Sequence, residues 1–152
     1  MKCYACGADG KKGMRIIDVS DLTVAVEIGH FLPERGNIDA RAVDVVGSLA
    51  FLAVGKPGFS IIEVSDPGNP IEVGYYDTPR SARSISVFGS LAFVGESRWL
   101  RVFDISVPSE PREIDSYKMP ASIRKVQLED SKVYVAASEA GLMILESENR
   151  AN

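Results

Sequence analysis

The chain has 152 residues, of which 45% are hydrophobic and 25% charged, with a formal net charge of −4. These values are those of a globular domain and argue against disordered, collagen-like or coiled-coil chains, and the charge gives no reason to expect nucleic acid or an anionic membrane as partner. Apolar runs such as Leu49-Ala50-Phe51-Leu52-Ala53-Val54 are too short to span a bilayer, and Met1-Lys2-Cys3-Tyr4-Ala5-Cys6 lacks the apolar stretch of a signal peptide.

In chain order, Cys3–Gly7 reads as the first strand. Cys3 and Cys6 have redox or half-zinc spacing, but a tetrahedral zinc site needs two further ligands and His30, the one histidine, offers a single one. Side chains three residues apart on a strand point to opposite faces, so an internal disulfide is strained and packed or free thiols are expected. His30 completes no Ser-His-Asp or Cys-His arrangement. The reading therefore calls for no metal and no cofactor.

From here the chain repeats with a period of about 42 residues, the spacing of propeller blades. One block, Gly13-Met14-Arg15-Ile16-Ile17-Asp18-Val19-Ser20, returns at Gly58–Ser65, Leu100–Ser106 and Gly141–Ser147. A second, Glu27-Ile28-Gly29-His30-Phe31, returns as Glu72-Val73-Gly74-Tyr75-Tyr76 and Glu113-Ile114-Asp115-Ser116-Tyr117. A third, Val45-Val46-Gly47-Ser48-Leu49-Ala50-Phe51, returns at Val87–Phe93 and Leu128–Tyr134. Each block is short, rich in Val, Ile, Phe and Tyr, and bounded by turn residues, as strands are. Gly47 and Gly89 suit tight hairpins that need a positive φ. Ser65–Pro70 and Ser106–Pro111 are turns, since proline cannot sit in a central strand. No window carries a convincing helical period.

The pattern Gly58-x-x-Ile61-Ile62-x-Val64-Ser65-Asp66-Pro67-x-x-Pro70, followed by Gly74-x-Tyr76-x-Thr78-Pro79, resembles the LVIVD repeat. Ala82-Arg83-Ser84-Ile85-x-Val87-x-Gly89-x-x-Ala92-Phe93-Val94 continues it, and the resemblance covers the chain from about Tyr4 to Ser147. It implies a β-propeller of a kind found in larger bacterial or archaeal proteins, often exported or at the cell surface, with no common activity. Leu22 stands where the turn has its first proline, and Val107 where it has its aspartate, which weakens any shared role for that turn.

With the strands of a blade named a (innermost) to d (outermost), the chain reads b-c-d over residues 3–32, a-b-c-d over 40–77, a-b-c-d over 82–119 and a-b-c over 122–147. The expected fold is all-β: residues 1–152 form one propeller-type array of about three and a half four-stranded antiparallel blades. Open repeat arrays expose sticky edges. A homo-oligomer is therefore expected, most simply a dimer that completes a larger ring, with a fragment of a larger exported propeller protein as the alternative.

Arg41, Arg83 and Arg124 recur in phase at the start of strand a. By period-2 alternation Arg41 shares a face with Val43 and Val45, Arg83 with Ile85 and Val87, and Arg124 with Val126 and Leu128. As a crown at one mouth of the channel they would bind a carboxylate, a phosphate or an acidic loop. Alternatively each packs along the next blade and bonds carbonyls of the d-to-a loop. The acids Asp18, Glu63, Asp104 and Glu146 close strand c at the opposite sheet edge, too far to pair with those arginines, and are expected to anchor or solvate the following turn. The loop Pro33–Asp39 is longer than its equivalents and carries Arg35 and Asp39 on the arginine edge. It is a binding element or a mobile surface loop. Trp99, at a b-to-c hairpin, joins an interface or covers the blade edge.

Two functions follow from different classes. The first is a non-catalytic scaffold that binds a protein or a small anionic ligand on the ring face, with Arg41, Arg83, Arg124 and Arg35 as the binding residues. The second is a channel-face lyase or hydrolase using arginines, Asp44 and tyrosines from several blades.

Overall fold

The structure is a computed structural model that describes residues 2–146. Fourteen strands form four antiparallel sheets, with no helix among the described residues. The first sheet holds β1 (Tyr4–Ala8), β2 (Met14–Asp18) and β3 (Val26–Phe31). The second holds β4 (Ala42–Val46), β5 (Leu49–Ala53), β6 (Phe59–Glu63) and β7 (Ile71–Tyr76). The third holds β8 (Ala82–Phe88), β9 (Leu91–Glu96), β10 (Trp99–Asp104) and β11 (Arg112–Lys118). The fourth holds β12 (Ile123–Glu129), β13 (Lys132–Ala137) and β14 (Gly141–Glu146). Strand order within every sheet follows the chain. This is the b-c-d, a-b-c-d, a-b-c-d, a-b-c series read from the repeat. Ser147, the last residue assigned to the fourth blade, lies outside the described residues.

The a-to-b connections are two residues long. Gly47 and Gly89 take φ of 60° and 58° there. In the fourth sheet Asp130 and Ser131 take φ of 49° and 66°. Aspartate is among the few residues other than glycine that tolerate that region, which is how this hairpin closes without glycine.

Period-2 alternation gives every sheet two apolar faces, and the core forms between sheets. Cys6, Ala8, Met14 and Ile16 of the first sheet pack on Ala50, Leu52 and Ile62 of the second. Phe51, Ala53, Phe59 and Ile61, on the other face of the second sheet, pack on Ala92, Val94 and Phe103 of the third. Phe103 meets Phe59 and Tyr76 there edge to face, with ring centroids 4.9 Å and 4.7 Å apart. Phe93 and Leu100 of the third sheet pack on Val133, Val135 and Leu145 of the fourth. In the second and third sheets one face thus serves the sheet before and the other the sheet after.

Two polar devices join neighbouring sheets. In β3 and β7, Gly29 and Gly74 lie against the carbonyls of Pro67 and Pro108, which belong to the c-to-d turn of the next sheet. A Cβ at either glycine would overlap that oxygen. On the inner strands, Asp44 Oδ2 accepts from the Val87 N–H at 2.8 Å. Ser84 and Ser86 hydroxyls accept from the Val126 and Leu128 N–H groups at 2.9 and 3.1 Å. β8 and β12 therefore have backbone donors satisfied by side chains of the preceding sheet, as buried amides require.

Candidate functional site

Arg41 lies just before β4, Arg83 in β8 and Arg124 in β12, the successive inner strands. β8 packs against both β4 and β12, so the three arginines stand at the same edge of adjacent sheets. All three are exposed. The register shifts between Ala82 and Ser84 and between Ile123 and Lys125, so Arg83 and Arg124 are each the extra residue of a bulge. Bulges re-aim side chains, and the even alternation read from the sequence is interrupted there: Arg83 and Arg124 are exposed while Ile85 and Val126 are buried. Arg41 pairs with Asp39, Nη2 to Oδ2 at 2.6 Å. Arg124 Nε donates to the Ser138 hydroxyl at 3.0 Å. Arg83 has no ion-pair partner among the described residues.

Other arginines are spent internally. Arg15, on β2, pairs with Asp9 at 2.5 Å and with Glu27 of β3 at 2.7 Å. Arg101, at the equivalent place on β10, pairs with Glu96 and, at 2.7 Å, with Glu113 of β11, and lies 5.5 Å from the Trp99 ring centroid. Trp99 is half-buried beneath it. The second sheet has Ser60 at this position. There the guanidinium comes from outside the sheet: Arg35, on the long loop, pairs with Glu72 of β7, donates to the Ser60 hydroxyl at 2.8 Å and lies 4.0 Å from the Tyr75 ring centroid. The loop is pinned rather than loose, with Pro33 and Ile38 buried on either side of Arg35. The sequence reading missed this arrangement. The signal was present in the phase of Arg15 with Arg101, and of Glu27 with Glu72 and Glu113.

Three of the four acids that close strand c anchor the following turn, and the turn after Glu146 lies outside the described residues. Asp18, Glu63 and Asp104 accept from the backbone N–H of Ser20, Ser65 and Ser106 at 2.9, 3.0 and 2.9 Å. Those serines hold all three carboxyls below their ordinary pKa. The carboxylates are bonded in the folded chain and free in the unfolded one. Their contribution is therefore complete well above the ordinary carboxylate pKa of about 4 and disappears as pH falls through the lowered folded-state values. Thermal melts should accordingly show Tm falling as pH drops below the ordinary carboxylate pKa of about 4. Asp104→Asn is expected to shallow that drop, and an unchanged acid limb would show that the turn carries no such linkage.

The thiols of Cys3 and Cys6 are free, and burial raises the pKa of the Cys6 thiol, which disfavours the reactive thiolate. His30 is exposed on β3. Asp44, a candidate for channel chemistry, has its carboxylate engaged by the Val87 amide. A crevice of about 670 Å³ opens between the third and fourth sheets, lined by apolar side chains that include Phe88, Leu91, Ile114 and Leu145. It opens at the a-to-b hairpins, the sheet edge opposite the arginines. No helix among the described residues is long and apolar enough to cross a membrane.

Repeated sheets of three or four antiparallel strands stacked face to face define a propeller-type repeat protein. The LVIVD repeat model matches residues 3–32, 38–78 and 79–119, so the chain belongs to the LVIVD repeat family. No curated protein matches it. Among solved structures it is similar to the computationally designed Ika4 protein, at 12% identity and a TM-score of 0.67, covering 97% of this chain and 86% of that one. It is also similar to the computationally designed Ika8 protein, at 12% identity and a TM-score of 0.66, covering 94% of this chain and 42% of that one. At this identity the likeness is one of fold. The chain spans less than half the length of the second structure.

Proposed function

We propose that the chain is a non-catalytic propeller-type scaffold that holds an anionic group, a carboxylate or phosphate of a small ligand or acidic partner, at the ring face through Arg41, Arg83 and Arg124, and that it works as a homo-oligomer. The observation that carries this reading is the contrast between two sets of arginines. Arg15, Arg35 and Arg101 are consumed by carboxylates of their own or a neighbouring sheet. The three at the inner-strand starts are exposed: Arg41 pairs with Asp39 alone, Arg124 reaches a serine hydroxyl, and Arg83 faces no described carboxylate within ion-pair distance. None of the three donates to a carbonyl of the d-to-a loop among the described residues, which is what a purely packing role would use. Guanidinium groups bind carboxylate and phosphate through paired hydrogen bonds, and such charge-assisted bonds are the strong ones.

Titration calorimetry with inorganic pyrophosphate at low salt tests this. Arg83→Ala is expected to weaken binding by about tenfold, the loss of one charge-assisted hydrogen bond of about 1.4 kcal/mol, with Tm unchanged. A fall in Tm with binding intact would instead make Arg83 a packing residue.

A further inference from the structure

In the first three sheets the side chains of strand c that face the next sheet are fully buried: Met14 and Phe59 are 0% exposed and Leu100 1%, and Ile16, Ile61 and Val102 lie between 0% and 6%. The same two positions on β14 are Leu142 and Ile144, 64% and 56% exposed. Their face of the fourth sheet also presents Tyr134 and Ala136, since Tyr134 pairs with Ile144 and Ala136 with Leu142. At the other end of the array, the first sheet carries an open face of the opposite kind. Its residues are Ala5 and Gly7 on β1 with Ile17 on β2, Ala5 being paired with Ile17. They occupy the positions that Ala50, Leu52 and Ile62 use in the second sheet to receive the sheet before it. The turn beside them is exposed as well. Leu22 is 94% and Val24 58% exposed, whereas the equivalent Pro67 and Pro108 turns reach back to Gly29 and Gly74 of the preceding sheet.

We infer that the Leu142–Ile144 face of β14 docks on the Ala5–Gly7–Ile17 face of the first sheet of a second copy of this chain, joining copies head to tail. The two faces are the halves of an interface that the chain already forms three times between its own sheets, and each copy carries one of each. Because the halves differ, the contact is heterologous, and two copies that satisfy both of their ends close a ring. The inference rests on the reading of the chain as a homo-oligomer and specifies which surfaces make it.

Two variants and their mixture provide the test. Ile144→Lys places a charge on the forward face, and Ala5→Glu places one on the backward face. Both positions are exposed, so each variant should fold with the Tm of a monomer. In sedimentation equilibrium at about 50 µM, a concentration at which mass action favours any specific contact of micromolar affinity, the unmodified chain is expected as a dimer and each variant alone as a monomer. An equimolar mixture regains a 1:1 complex, since one intact face of each kind is still available, and it is weaker than the parent dimer because one contact replaces two. A parent dimer whose variants keep its mass, or a mixture that associates no more than either variant alone, overturns this interface while leaving the oligomer reading standing. A monomeric parent overturns both.

Discussion

Arg101→Ala is expected to lower the unfolding free energy by about 3–5 kcal/mol, the range for removing one partner of a buried ion pair. Glu96 is 0% exposed and its carboxylate faces the guanidinium of Arg101, itself 13% exposed. Without that partner a carboxylate stays behind in the core, and desolvation of an unpaired charge dominates the loss. Urea unfolding at neutral pH measures it. The last sheet supplies the control. Ala137 and Met143 occupy the positions of Glu96 and Arg101 in the repeat, an apolar solution at the same place. Glu96→Ala combined with Arg101→Met is therefore expected to be milder than Arg101→Ala alone, because replacing both charges removes the stranded one. If the double variant is the less stable of the two, the pair contributes by mutual attraction and the desolvation argument fails.

Arg35→Ala comes second, with an expected cost of about 1.5–3 kcal/mol for loss of hydrogen bonds to a charged group. The more telling variant is Ser60→Arg. Placed in the Arg35→Ala background it restores a guanidinium on strand c opposite Glu72, the arrangement of Arg15 with Glu27 and of Arg101 with Glu113. Most of the lost stability should return. In the parent background the same substitution is expected to destabilise, since two guanidinium groups would crowd one carboxylate. A substitution whose sign depends on Arg35 is a double-mutant signature of direct coupling. Equal effects in both backgrounds would show that the loop and strand c act independently.

The architecture was legible because it is written in period. Alternating Val, Ile and Phe bounded by glycine and proline, repeated three to four times in the same order, leave little room for another fold, and every predicted strand is found. The arginine edge was legible in position but not in direction. A bulge adds one residue to a strand, and the residues around Arg83 and Arg124 look like an uninterrupted run in one dimension. Arg35 was harder still. Its partners Ser60 and Glu72 lie 25 and 37 residues away, and it replaces a residue that only the comparison of sheets shows to be missing. The loop that reads as extra length for binding carries a side chain that completes the next sheet. The open ends could be suspected from the strand count. Which side chains they leave uncovered depends on the sheets being stacked in order, and on Leu142 and Ile144 losing the burial that their equivalents have.

The central claim is that the chain is an array of stacked blades whose two end faces are complementary and unmet within the chain. Its most direct test is the mass of the unmodified protein by light scattering across a dilution series. A mass of about 33 kDa, twice the 16.5 kDa chain, that falls toward half on dilution by mass action is the predicted result. A constant 16.5 kDa at every concentration would contradict it.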